Sequence, residues 1–104
     1  MPERKDIKDV MFARARACAE ADGLAEITFD SKAVTKEGSI ECAFFVDPRG
    51  LHFRVFEYKA DQRGNLLAWK ETDLNRESFE DNYPNVPTPK LQEDLLHPRY
   101  DTVV

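Results

Sequence analysis

Glycine is scarce in this chain, four residues in 104. Each falls beside a turn or at a helix end, so none is left for a loop that cradles phosphate with successive backbone N–H groups. Histidine and cysteine are scarcer still, two of each. No Cys-x-x-Cys pair and no Cys/His cluster with zinc spacing occurs, which leaves no expected metal site. Nucleotide-binding glycine motifs, Gly-x-Ser-x-Gly and His-Glu-x-x-His are all missing, so no catalytic residues are assigned and an enzyme is disfavoured. No apolar run approaches the ~18 residues of a membrane-spanning helix. Nor does an apolar core of a secretory signal follow Met1–Asp6. The expectation is a cytoplasmic protein without a cofactor, away from the membrane, with Cys18 and Cys42 as buried, reduced thiols.

Surplus positive charge is absent too. The net charge is −5, and its distribution is uneven. Residues 1–21 carry five basic and four acidic side chains, residues 22–70 seven and eight, and residues 71–104 three and eight. The final third therefore accounts for the whole excess. Such a balance argues against binding nucleic acid through its backbone, which needs a basic patch. It suits contact with a basic protein surface. At 41% hydrophobic and 34% charged residues, the chain has the composition of a folded domain. The length fits one domain, 1–104, with residues 1–4 and 98–104 as flexible termini.

What is present reads as one helix followed by strands. Over residues 5–22, Ile7, Val10, Met11, Cys18 and Ala21 recur at helical spacing, and alanines at 13, 15, 17, 19 and 21 favour the helix. Gly23 stands where a helix-ending residue belongs. Residues 24–34 alternate as a first strand, and residues 36–39 supply a turn. Residues 39–46 and 51–60 are two aromatic and β-branched runs around Asp47-Pro48-Arg49-Gly50, the residue order of a tight hairpin turn. A loop at 61–65 leads to a fourth strand over 66–71. Short connections make an antiparallel meander the default. Thr72 or Asp73 is the candidate cap of a short helix reaching Phe79 to Asn82. Three prolines in residues 84–89 predict an extended, unpacked passage. Leu91, Leu95 and Leu96 then recur at helical spacing. The expected fold is α+β: an N-terminal helix packed on a four-stranded antiparallel meander, with short C-terminal helices and an extended Pro-containing tail.

Strand alternation divides the central hairpin into two faces. Ile40, Cys42, Phe44 and Val46, with Leu51, Phe53 and Val55, form the expected core, with the N-terminal helix lying across it. The reverse face holds Ala43, Phe45, His52, Arg54, Phe56 and Tyr58, joined by Trp69 or by Leu66 and Ala68. Aromatic residues interleaved with arginine are enriched at interfaces. A C-terminal segment folding back through Leu91, Leu95 and Leu96 is the structural alternative for that face.

Other chemistry fits less well. His52, Arg54 and Tyr58 come from one strand, and positions two apart stand roughly 7 Å from each other, too spread for one reaction centre. Glu77, Glu80 and Asp81 read as a solvated acidic helix face rather than a metal site. Exposed rings on a sheet would also suit stacked bases, but the element order is not that of an RNA-recognition motif and the basic groove is lacking. The function expected is a small acidic cytosolic protein-binding module: an inhibitor, adaptor or accessory subunit. Its partner-binding residues would be Phe45, His52, Arg54, Phe56, Tyr58, Trp69, Glu77, Glu80 and Asp81. The partner would be another protein with a basic surface, with a homodimer as the alternative assembly. The competing functions are a single-stranded nucleic-acid platform and a small enzyme with a pocket near His52 and Tyr58.

Overall fold

The structure is a computed structural model that describes residues 3–89. Helix α1 (Glu3–Ala21) is followed by strands β1 (Ala25–Val34), β2 (Gly38–Val46), β3 (His52–Asp61) and β4 (Leu66–Asn75), and by helix α2 (Arg76–Asn82). The four strands form one antiparallel sheet in the order β1-β2-β3-β4, the expected meander. Gly23 (φ 83°) ends α1, and the Leu24 N–H donates to the Ala19 carbonyl at 2.8 Å. The hairpin turn forms as its residues demand. The Gly50 N–H donates to the Asp47 carbonyl at 3.0 Å, and the Asp47 carboxylate accepts the Leu51 N–H at 2.8 Å. The β3–β4 loop repeats this chemistry: Asp61 accepts the N–H groups of Arg63 and Asn65 at 2.9 and 2.8 Å, and Gly64 takes φ 89°.

Alternation sorts the β2 and β3 side chains as expected, but both faces are covered. Ala43, Phe44, Phe45 and Val46 are all buried, so β2 packs on both sides. Helix α1 occupies the face opposite to the one expected. Helix α1 lies over Ala43, Phe45, Phe56 and Tyr58, which it meets with Ala15 and Ala19, flanked by Met11 and Phe12. The face assigned to it, with Phe44, Val46, Phe53 and Val55, is covered instead by Phe79 of α2 and by Tyr83 and Val86. Side-chain volume accounts for this. Small alanines let the long helix approach a floor of flat rings, with Phe12 edge-on to Phe56 at 5.0 Å between centroids. The short α2 brings one bulky ring, Phe79, stacked on Phe53 at 4.2 Å.

Several residues shift accordingly. The buried seam of α1 is Met11, Phe12, Ala15 and Ala19. Ile7 and Val10 are 47% and 61% exposed, and Cys18 faces solvent rather than the core. Leu51 is also exposed, because it belongs to the turn rather than to β3. β4 runs four residues beyond the expected Glu71, and Asn75, not Thr72 or Asp73, caps α2 by accepting the Ser78 N–H at 2.8 Å. The proline passage is not merely extended: Val86 is buried and the Tyr83 ring meets Phe44 at 5.3 Å. The helix expected around Leu91, Leu95 and Leu96 and the tail at 98–104 lie outside the described residues.

Candidate interaction surface

Two strands end the sheet, and they differ. β1 breaks register between Ile27 and Ser31, a bulge of the kind that blunts an edge. β4 pairs regularly with β3 from Ala68 to Asn75, and its irregularity is confined to the end opposite Lys59 and Ala60. Among the described residues its outer side carries no strand. Most of its residues are exposed, including Leu67 at 58% and Trp69 at 49%. The Trp69 indole lies 6.2 Å from Phe56, at the rim of a groove of about 90 Å³ between α1 and β4 that Met11, Arg14, Cys18 and Glu71 also line. α1 covers Phe56 but stops short of the outermost strand, so half of the indole stays in solvent.

The other expected contact residues are dispersed. Phe45, Phe56 and Tyr58 are each 1% exposed beneath α1, so they form core and offer no open face for a partner or a base. His52 and Tyr58 stand six residues apart on β3, roughly 20 Å at strand rise. Arg54 is a clamp. Its Nη2 lies 2.8 Å from Asp22 and its Nε 2.7 Å from Asp73, tying the end of α1 to β3 and β4. His52 Nε2 stands 3.4 Å from the same Asp73 oxygen. The hydrogen bond from Arg54 holds the Asp73 carboxyl below the usual carboxylate range, and the same bond raises the Arg54 guanidinium. No family model matches the chain, and no curated protein or solved structure is significantly similar to it.

The acidic residues survive as surface groups. Glu77, Glu80 and Asp81 are exposed on α2, and Glu80 accepts from Arg76 Nε at 3.1 Å. Among the described residues, Glu71, Glu77 and Asp81 enter no ion pair. No group of three His, Cys, Asp or Glu side chains among them fits a metal, and none of their helices is long and apolar enough to cross a membrane. Sequence reasoning missed Arg76. Its Nη1 donates to the carbonyls of Gly50 and Pro89 at 3.1 and 2.9 Å, joining the β2–β3 turn to the proline passage. The only signal for it was an arginine at the start of a helix, where the macrodipole disfavours one.

Proposed function

We propose that the protein is a small cytoplasmic protein-binding module, acting as an inhibitor, adaptor or accessory subunit, that takes an extended basic segment of another protein along β4. The observation that carries this reading is an edge strand that pairs regularly from Ala68 to Asn75, with a half-exposed Trp69 on it. An edge strand presents a row of unpaired backbone groups that an added strand can meet, while side-chain pockets set which strand is accepted. Trp69 supplies the aromatic anchor that such contacts concentrate their energy on. Glu71, two residues along β4 on the same face, and Glu77 and Asp81 on α2 beyond the end of the strand enter no ion pair among the described residues and favour lysine or arginine on the incoming segment. This replaces the aromatic sheet face as the contact surface, since Phe45, Phe56 and Tyr58 are core.

Affinity capture from native lysate, repeated with Trp69→Ala and with Glu71→Lys/Glu77→Lys, tests the reading. A protein retained by the wild type, released by salt and lost from both variants supports it. Equal retention by all three chains overturns it. Light scattering of the purified chain at neutral pH serves as the second arm. A dimer that Trp69→Ala dissociates would mean that a second copy, not a different protein, occupies the edge.

A further inference from the structure

A second concavity lies on the same sheet face as α1, at the end where the β1–β2 turn meets the β3–β4 loop. Lys32, Glu41 and Tyr58 are successive neighbours across β1, β2 and β3, and Lys8 of α1 and Arg63 of the loop complete the walls. The Gln62 side chain donates to the Lys36 carbonyl and so fixes the loop against the turn. The space is about 400 Å³. That falls within the roughly 300–1,000 Å³ of small-molecule sites.

The charges here are not all committed. Lys8 neutralises Glu41 at 2.6 Å, and the Asp61 carboxylate accepts the N–H groups of its own loop. Among the described residues, neither Lys32 nor Arg63 enters an ion pair. Tyr58 is 1% exposed, and among the described residues its hydroxyl has no hydrogen-bond partner. A buried donor without an acceptor is costly, and natural proteins keep few of them without a reason. Burial raises the phenol, so the hydroxyl stays protonated and able to donate at neutral pH.

We propose that this cleft binds the phosphate group of a small organic phosphate, with Lys32 and Arg63 as counter-charges and the Tyr58 hydroxyl donating to a phosphate oxygen. A phosphate monoester carries about −1.5 to −2 at pH 7, and Lys32 and Arg63, neither in an ion pair among the described residues, answer that charge even with the Asp61 carboxylate, which feels Arg63, in the same cleft. The Lys8–Glu41 pair stands beside the hydroxyl, and the long, flexible lysine stem lets it yield to the ligand. The proposal is independent of the β4 edge, which lies across the sheet from β1 and β2.

Amide-shift titrations with inorganic phosphate, glucose 6-phosphate and succinate test it. Saturable shifts confined to residues around Lys8 and Lys32 and to 39–41 and 58–64, with glucose 6-phosphate the tightest ligand, are expected. Tyr58→Phe removes only the unpartnered hydroxyl and should keep or raise the melting temperature while weakening phosphate about tenfold. Arg63→Gln, on an exposed loop, should weaken it comparably whatever Tyr58→Phe does to packing. Glu41→Gln should tighten it by freeing Lys8. The assignment is overturned by shifts that do not saturate or that spread over all basic residues. It is equally overturned by succinate binding more tightly than phosphate, or by an Arg63→Gln chain that titrates like the wild type.

Discussion

Two glycines at positive φ, Gly38 at the start of β2 and Gly64 in the β3–β4 loop, differ in what surrounds them. Gly38 opens β2 at φ 150°, and a Cβ there would fall on the Ala60 carbonyl oxygen and 2.8 Å from the Asp61 Cα. Backbone cannot step aside as a side chain can. Gly38→Ala should therefore cost about 3 kcal/mol or more, combining a strained φ with a clash. Gly64 has φ 89° but nothing within 4 Å of the same atom. Gly64→Ala should cost only the left-handed strain, about 1 kcal/mol. Urea unfolding of the two variants separates the contributions, and equal losses would contradict the placement of Gly38. Asp73 makes the second residue-scale prediction. Its carboxyl is lowered, chiefly by the Arg54 hydrogen bond, so the stability it lends is present above the unfolded carboxylate range and is lost as pH falls from there through the lowered folded value. Asp73→Asn should lower the melting temperature at pH 7, and the gap should close below about pH 4. A gap that stays constant down to acid pH would mean that the ion pair contributes nothing. Nothing in the sequence around Arg54 signals this clamp. Its partners come from position 22 and position 73, and only the fold brings them together.

At the scale of elements, existence was more legible than placement. The hairpin turn, the meander and the end of α1 at Gly23 follow from local residues, because turn and cap chemistry is local. Which helix covers which face does not follow, since both faces of β2 and β3 are apolar and a short connection at Gly23 serves either side. One signal was present: the unbroken run Ala43-Phe44-Phe45-Val46, which marks a strand buried on both faces rather than one with an open side. Phe12 was legible in the same way, at helical spacing with Ala15 and Ala19. The junction around α2 was not, because it rests on Arg76, whose Nη1 reaches acceptors at positions 50 and 89. Arg76→Ala removes these bonds together and leaves the Gly50 and Pro89 carbonyls to find water. The expected loss is about 1–3 kcal/mol, with faster amide exchange at Tyr83 and Val86. Arg76→Lys should recover little of it, since an ammonium cannot span the same fork of acceptors. Unchanged exchange at Val86 in Arg76→Ala would show that Phe79, Tyr83 and Val86 hold that segment by packing alone.

For the whole molecule, the two edges and the net charge set how copies meet. The β1 edge is interrupted by its bulge near its middle, whereas β4, irregular only at Leu67, offers Trp69 and a regular backbone from Ala68 to Asn75. At pH 7 the chain carries −5, and self-repulsion between copies opposes edge-to-edge pairing. That repulsion vanishes near the isoelectric point, at about pH 5.0. Lys70, Glu71 and Asp73 lie on the strand, but once the net charge is gone its exposed Leu67 and Trp69 and its free backbone groups can template pairing with a second copy. Multi-angle light scattering should therefore show the average mass rising from pH 7 toward pH 5 and falling again as salt-free buffer returns the chain to neutral pH. Trp69→Lys places a charge on the edge itself, a device that natural sheets use against pairing, and should hold the mass constant across the same range. A matching variant on the other edge, Ala33→Lys on β1, should leave the association intact. If Ala33→Lys suppresses it and Trp69→Lys does not, copies meet through β1, and the reading of β4 as the molecule's receptive edge loses its physical basis.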